Sequence, residues 1–309
     1  MNLNTGTTDT KNNATIITIG TFDGVHIGHQ KILKDIVSIG KASGLRSTVL
    51  TLFPHPRMVL QKDDSIKLLN TIDERIDIIK SLGIDHVEVK EFTKEFSNMT
   101  ARDYVTKILI NELHAKEVVI GYDHHFGKNR EGNINDLIVF GQEFGFSVKE
   151  IKAQQIADVS VSSTKIRKAL LNGDVETANL YLGYPYSIKG DVIKGDKIGR
   201  TINYPTANLN INASYKLIPK DGVYVVNAII DGVVIYGMMN IGFNPTIRGK
   251  RRSIEVHFFD FNNELYGRSI KVSFMTRLRD EMKFSSIESL KAQLKLDEVA
   301  SRNYINGQS

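Results

Sequence analysis

The hydrophobic pattern changes character near residue 186, and this change constrains the fold more than any other feature of the chain. Before it, short β-branched runs alternate with patterns in which apolar residues recur every three or four positions. After it, apolar and polar residues alternate with the period of two that half-buried strands show. A chain of 309 residues has room for about two domains. We therefore predict a polar tail at 1–14, one domain at 15–186 and a second at 187–309.

The first half predicts a Rossmann-like α/β domain with a parallel sheet. Its alternation of strands and helices requires crossover connections, which place helices on both faces of such a sheet. Thr100 and Asp103 have the spacing of a helix N-cap. Ligands of these sheets bind beyond the carboxyl ends of the strands. The expected strands are 14–19, 47–53, 86–89, 116–120 and 146–151.

The second half predicts an antiparallel sheet or small β-barrel closed by one helix. Asp231-Gly232 lies between two strand patterns and is a strong hairpin signal. Ser285 and Glu288 predict a capping box for the last helix, whose apolar stripe would be Ile287, Leu290 and Leu294. The expected strands are 222–231, 233–241, 253–260 and 269–275.

Composition excludes several classes of chemistry. The sequence has no cysteine, which removes disulfides, thiolate nucleophiles and Cys-ligated metal centres. The net charge of +5, from 40 basic and 35 acidic residues, suits phosphate-bearing ligands but equally describes a mildly basic surface. No strongly apolar window of transmembrane length is present, and the first residues lack the apolar core of a signal peptide. We expect a cytoplasmic protein that binds neither nucleic acid nor membranes.

The segment Gly20–His29 follows the first predicted strand and opens the first predicted helix. Its glycines allow the backbone to approach a ligand closely, and a helix N-terminus favours an anion. His26 and His29 can donate hydrogen bonds to phosphate oxygens. The alternative is a glycine-rich turn with two surface histidines. Zinc binding is a further option, but no third ligand is near in the sequence.

A second phosphate site is predicted at Val161–Arg167, where hydroxyls, a helix start and two cations coincide. Taken by itself, this segment favours an ordinary N-cap on a basic helix. The HxGH and SSTxIR elements together are the signature of the nucleotidyltransferase α/β superfamily. With Thr51–Pro56 and Gly121–Gly127, the first half resembles the adenylyltransferase module of bacterial bifunctional riboflavin kinase/FAD synthetases.

That resemblance implies a module that transfers AMP from ATP to FMN and releases pyrophosphate. It departs from the family at Leu52, usually an aromatic residue, and at His124, usually Phe. The implied ATP and phosphate contacts are Gly20, Phe22, Asp23, Gly24, His26, His29, Ser162, Ser163, Thr164 and Arg167. The implied nucleotide and flavin pocket is Pro54, His55, Pro56, Gly121, Asp123 and Phe126.

Oxygen donors and glycines are concentrated at the start of the second half. The glycines at 190, 195 and 199 permit a phosphate-cradling loop, although an ordinary loop is the alternative. Thr206 and Asn208 are two apart on one face of an extended segment and offer hard oxygen ligands suited to Mg²⁺. Glu255 is a candidate general base or, alternatively, a solvated strand residue.

The order of these motifs resembles the riboflavin kinase module of the same family. The resemblance implies that Thr206 and Asn208 bind Mg²⁺ and ATP and that Glu255 is the catalytic base. Asn203 stands where the family usually has Gly. The implied ATP contacts are Gly190, Gly195, Gly199, Arg200, Pro205, Thr206, Asn208 and Asn240, and the implied flavin contacts are Glu255, Arg279 and Glu281.

The two implied reactions use different nucleophiles, and this explains why only the second half carries a candidate general base. The phosphate of FMN is already anionic and needs no base, whereas the 5′-hydroxyl of riboflavin must lose a proton as it attacks ATP. We therefore predict that riboflavin and ATP give FMN and ADP, and that FMN and ATP give FAD and pyrophosphate. The alternatives are a different phosphate-ester acceptor and a non-enzymatic flavin or nucleotide sensor.

Overall fold

The computed structural model describes residues 13–307 except 62–65, 122–123, 152–160, 196–197 and 247–248. The chain folds into two compact units, Met1–Val161 and Ser162–Ser309. The second unit therefore begins before the barrel, with two helices that the sequence analysis grouped with the first domain. The functional division at 186/187 stays a prediction.

The first unit contains the predicted parallel sheet, with strand order β3-β2-β1-β4-β5. Its strands are β1 (Thr15–Ile19), β2 (Arg46–Phe53), β3 (His86–Glu91), β4 (Ala115–Gly121) and β5 (Ser147–Ile151). Its α-helices are α1 (Ile27–Ser43), α2 (Pro56–Leu60), α3 (Ile72–Ser81), α4 (Lys94–Ser97), α5 (Ala101–Asp103) and α6 (Ile134–Phe144). A π-helix (Tyr104–Glu112) continues α5, and a 3₁₀ turn (Lys128–Arg130) precedes α6.

Alternation along the strands builds a core on each face of this sheet. Ile16 and Val49 pack with the apolar sides of α1 and α3, whereas Ile17 and Leu50 pack with the π-helix and α6. The predicted cap is confirmed, since the Thr100 side chain accepts from the Asp103 amide. Strand order reverses at β1, whose neighbours are β2 and β4. The loops after β1 and β4 therefore flank the crevice where such sheets bind ligands.

The second unit is a closed antiparallel barrel with order β10-β7-β6-β11-β8-β9. Two helices precede it, α7 (Ser163–Asn172) and α8 (Val175–Leu182). The barrel comprises β6 (Ser187–Ile193), β7 (Ala207–Asn210), β8 (Gly222–Ile230), β9 (Val233–Thr246), β10 (Gly249–Phe258) and β11 (Ser269–Arg279). A short helix, α9 (Ile198–Thr201), lies between β6 and β7, and α10 (Ile287–Asn306) ends the unit.

The hairpin at Asp231-Gly232 is confirmed, with both residues at positive φ. Two other details of the second unit differ from the sequence expectation. The last helix is capped by Ser286 with Ser289, not by Ser285 with Glu288. Leu290 and Leu294 pack against the barrel as predicted. Ile287 is instead exposed.

Candidate active sites

The loop after β1 carries the HxGH element in a constrained conformation. Phe22 and Val25 have φ values of 46° and 32°, in a region that non-glycine residues rarely occupy. Gly24, with φ of 84°, takes the conformation that its lack of a Cβ permits. Gly20 directly follows β1, and its amide donates to Leu50 O of β2 at 3.1 Å. Such strain persists only where the surrounding structure over-determines it, as at binding loops.

His26 and His29 form a stacked pair at the N-terminus of α1. Their ring centroids are 3.6 Å apart with an interplanar angle of 17°. His26 caps the helix, because its Nδ1 accepts from the His29 amide at 3.4 Å. Its ring is only 6% exposed, so the interpretation of two surface histidines is wrong. His29 Nδ1 is buried and has no hydrogen-bond partner among the described residues.

Burial favours the uncharged form of both imidazoles. Burial, opposed in part by Asp23, lowers the pKa of His26 to about 4. Burial, His26 and the Arg75 guanidinium together lower the pKa of His29 well below its ordinary value. Each ring therefore offers a phosphate one uncharged N–H donor.

The Asp23 carboxylate is directed into the fold. It accepts from the Leu69 amide at 3.0 and 3.1 Å and from the Asn70 amide at 3.3 Å, and it lies 3.9 Å from Arg75 Nη2. Sequence reasoning missed Arg75. The sequence feature that could have indicated Arg75 is its position on the apolar side of α3, which Ile72, Ile76 and Ile79 form.

The other loops predicted at this site fall at the ends of β2 and β4. Pro54 follows a cis peptide bond, and His55 caps α2, which begins at Pro56. Leu52 lies on β2 and Gly121 ends β4. Asp123 lies outside the described residues.

Phe126 belongs mainly to the core of the first unit. It is 6% exposed and packs against Tyr104 with ring centroids 5.5 Å apart. The His124 ring stacks on it at 6.1 Å. The residue at the family's usual Phe position therefore keeps a flat ring in the same loop.

The SSTxIR element lies at the start of the second unit. Ser162 caps α7, with its hydroxyl accepting from the Lys165 amide at 3.3 Å. Ser163, Thr164 and Arg167 occupy the first turns of that helix. Their contact with ATP stays a prediction.

The barrel brings Glu255, Asn208 and Asn240 together. Glu255, on β10, pairs directly with Asn208 on β7 and with Asn240 on β9, so the three side chains lie on one face. The Thr206 hydroxyl donates to Glu255 Oε2 at 3.1 Å. Glu255 is half-buried and hydrogen-bonded within a polar cluster, and its role as a general base stays a prediction.

A second set of side-chain contacts holds the segment that carries Thr206. His257 Nδ1 lies 2.8 Å from Pro205 O, and the Tyr204 ring packs edge-on against His257 at 5.1 Å. The Tyr204 hydroxyl donates to Glu298 of α10 at 3.1 Å. Sequence reasoning missed Tyr204 and Glu298, because they meet across 94 residues.

The predicted glycine-rich loop packs tightly on these residues. A Cβ at Gly195 would overlap the Asn208 side chain, and one at Gly199 would overlap Tyr204 O. A Cβ at Gly190 would overlap Ile211 and Asn210. Asn203 has a φ of 66°, which explains why glycine suits this position and why asparagine tolerates it. Arg200 lies on α9, and its side chain is outside the described part of the chain.

The two remaining predicted flavin contacts, Arg279 and Glu281, brace the barrel. Arg279 makes paired hydrogen bonds of 2.8 and 2.6 Å to Asp297 of α10, and its Nη1 donates to Asp280 O. Glu281 accepts from the Phe243 amide at 3.1 Å. Asp297 is 3% exposed, so Arg279 links β11 to the helix through a buried carboxylate.

Fold and sites together define a two-unit nucleotide-handling enzyme. A family model described as FAD synthetase matches residues 8–165, and one described as riboflavin kinase matches residues 182–305. Proteins named bifunctional riboflavin kinase/FMN adenylyltransferase are similar over most of the chain. Those of Listeria monocytogenes and Bacillus subtilis are each 40% identical, over 291 and 296 residues, and that of Escherichia coli K12 is 34% identical over 290.

These alignments cover 94% of this chain and 92% of each relative. The chain belongs to the bifunctional riboflavin kinase/FMN adenylyltransferase family. A crystal structure from Streptococcus pneumoniae, described as a macrolide-efflux protein, superposes with a TM-score of 0.83. It is 32% identical, and the match covers 94% of each chain. Within the described residues of the present chain, no helix has the length and apolar character needed to cross a membrane.

Proposed function

We propose that the barrel phosphorylates riboflavin to FMN and that the HxGH half adenylylates FMN to FAD. The observation that carries the proposal is the Glu255 carboxylate, hydrogen-bonded to Thr206 and flanked by Asn208 and Asn240. A base beside oxygen donors suits transfer of phosphate to a neutral hydroxyl. ATP use by both reactions supports a cytoplasmic location.

In the kinase step, Glu255 accepts the proton of the riboflavin 5′-hydroxyl as its oxygen attacks the γ-phosphorus of ATP. The bond to the β-phosphate oxygen breaks, and ADP leaves. His257 and Tyr204 hold the Pro205–Thr206 backbone so that the Thr206 hydroxyl stays against Glu255. We assign Arg279 to bracing this site through Asp297 and keep Glu281 as a candidate flavin contact.

The donor set beside Glu255 fits Mg²⁺. Thr206 and Asn208 provide oxygen atoms, which Mg²⁺ prefers, and the missing Cβ of Gly195 brings the loop onto Asn208. No group of three or more His, Cys, Asp or Glu residues suited to a metal occurs in the described ranges, so phosphates and water would supply the other ligands. When bound, Mg²⁺ neutralises the charge of the triphosphate.

In the adenylyl transfer, a phosphate oxygen of FMN attacks the α-phosphorus of ATP, and pyrophosphate leaves. The nucleophile is already ionised, so the site needs alignment and hydrogen-bond donors rather than a base. The neutral N–H groups of His26 and His29, at the start of α1, supply such donors. We propose that Ser162, Ser163, Thr164 and Arg167 contact ATP.

Incubation of the purified chain with riboflavin, ATP and Mg²⁺, followed by chromatography of the products, tests this function. We expect FMN to appear first and FAD to follow. A second incubation with FMN and ATP should give FAD and pyrophosphate. FMN without FAD would point to another phosphate-ester acceptor for the first half, and no conversion in either incubation would favour a sensor.

A further inference from the structure

A buried arginine lies beneath the HxGH loop, in a position that phosphate chemistry does not by itself explain. Arg75 projects from α3 and is 1% exposed. A buried arginine is costly unless its charge and its donors are satisfied by the fold. Its contacts therefore show what the side chain holds in place.

Arg75 connects the ends of the two central strands. Its Nη1 donates to Thr51 Oγ1 at 3.3 Å and to Leu52 O at 3.5 Å, both on β2. The Thr51 hydroxyl donates in turn to Thr21 O, in the loop after β1, at 3.2 Å. One side chain thus links α3, the end of β2 and the loop that leads to His26.

Asp23 forms the second connection. Its carboxylate lies 3.9 Å from Arg75 Nη2 and accepts the amides of Leu69 and Asn70, which precede α3. A carboxylate in this position repels phosphate and gains nothing by contacting it. The burial and contacts of Asp23 are those of a residue that holds the loop, whose neighbours Phe22 and Val25 need external support for their positive φ values.

We propose that Arg75, with Thr51 and Asp23, forms the positioning unit of the adenylyl-transfer site. This inference rests on the proposed function of the first half. The unit holds the loop before His26 in its strained conformation, and Asp23 acts through the loop rather than on the nucleotide. Burial and His26 lower the pKa of His29, and the Arg75 charge contributes in the same direction.

A matched pair of threonines on β2 offers the cleanest test. Thr51 and Thr48 are both fully buried. Thr51 belongs to the unit, whereas the Thr48 hydroxyl has no hydrogen-bond partner in the described part of the chain. Thr51→Val should lower kcat for FAD formation from FMN by about 10–100-fold, the cost of misplacing a reacting group by about 1 Å. Thr48→Val should leave this rate unchanged.

Arg75 itself is tested through its charge. In Arg75→Met, the pH inflection of kcat/KM that reports His29 in free enzyme should move to higher pH, because a nearby positive charge is lost. In Arg75→Lys, which keeps the charge but not the forked geometry, kcat should fall while the inflection stays. An arginine that merely supports the fold would lower rates in both variants without moving the inflection.

The wild-type chain separates the possible failures. If wild type does not form FAD, the proposed function fails. If wild type forms FAD and Thr51→Val performs like Thr48→Val, the positioning unit is overturned. An unmoved inflection in a folded Arg75→Met variant would overturn the role of its charge. Riboflavin kinase activity, measured on every variant, should stay at the wild-type level.

Discussion

At the residue scale, the two proposed reactions differ in whether the protein must remove a proton. The barrel places one carboxylate, Glu255, against a hydroxyl and two amides. The other half places two neutral imidazoles at a helix N-terminus. This division follows the ionisation of the acceptors, because a riboflavin hydroxyl is neutral and an FMN phosphate is charged.

The first prediction concerns Glu255→Gln. The amide keeps the shape and can still accept from Thr206, but it cannot take a proton. Riboflavin kinase turnover should fall by about 10²–10⁴-fold, the usual contribution of a general base. Michaelis constants for riboflavin and ATP should change little. Steady-state kinetics of both half-reactions on one preparation measure this, and FAD formation from added FMN serves as the control. An unchanged kinase turnover in the folded variant would remove Glu255 from the mechanism.

The second prediction concerns pH and His26. Its pKa is about 4 in the folded protein and 6.5 when unfolded, so the unfolded chain binds the proton first as pH falls. The contribution of neutral His26 to the unfolding free energy is complete above pH 6.5 and is lost as pH falls toward 4. Between pH 7 and pH 5 this group should cost about 2 kcal/mol of unfolding free energy.

His26→Asn is the matched variant, because asparagine caps a helix but does not titrate. Urea unfolding of the first unit, followed by circular dichroism at both pH values, should show a smaller loss in the variant than in wild type. Equal losses would mean that His26 does not carry this pH dependence.

At the element scale, α10 secures the kinase site through two ion pairs of unequal burial and one hydrogen bond. The Arg279–Asp297 pair joins it to β11, and Arg302 joins it to Asp260. The Asp297 side chain is 4% exposed and that of Asp260 is 78% exposed. Glu298 accepts from Tyr204, next to the Pro205–Thr206 segment. The helix therefore holds the site through its buried contacts.

The third prediction compares the two aspartates. Asp297→Ala leaves Arg279 without its buried partner and should lower unfolding free energy by about 3 kcal/mol. Asp260→Ala removes an exposed pair of the same geometry and should have little effect, because solvent screens it. Thermal melts of the two variants measure the difference. Equal melting temperatures would show that α10 is not held by Asp297.

At the scale of the whole molecule, the compact unit and the barrel do not begin at the same residue. Lys220 donates its amide to Leu170 O of α7, and Asn179 of α8 bonds both Phe274 O and the Tyr186 amide. The two helices therefore complete the surface of the barrel, although the helical pattern of their sequence suggests membership of the first domain.

The fourth prediction follows from these contacts. A fragment of residues 162–309 should fold and phosphorylate riboflavin at the full rate without forming FAD. A fragment of 187–309 should melt at a lower temperature, because it lacks the bonds to Leu170 and Asn179. Thermal melts and kinase assays of both fragments decide this, with the full chain as reference. Identical melting temperatures would mean that α7 and α8 do not stabilise the barrel.

Local pattern by itself determined the type of most elements in this protein. The five strands of the parallel sheet, the Asp231-Gly232 hairpin and the Thr100 cap were all predictable, because periodicity, turn chemistry and capping act over a few residues. The resemblance of ordered motifs indicated His26, His29, Thr206 and Glu255 as candidate site residues. The short strands β6 and β7 were missed as strands, since a glycine-rich sequence resembles a loop until its neighbours pair with it.

Only the tertiary structure decided which residues meet. It placed β1 at the centre of the sheet, closed six strands into a barrel and moved two helices to the second unit. It also turned Asp23 inward to Arg75 and joined Tyr204 to Glu298 across 94 residues. The physical reason is that each of these contacts is long-range. Its energy depends on burial and on the geometry of partners far away in the chain, which no local pattern of residues encodes.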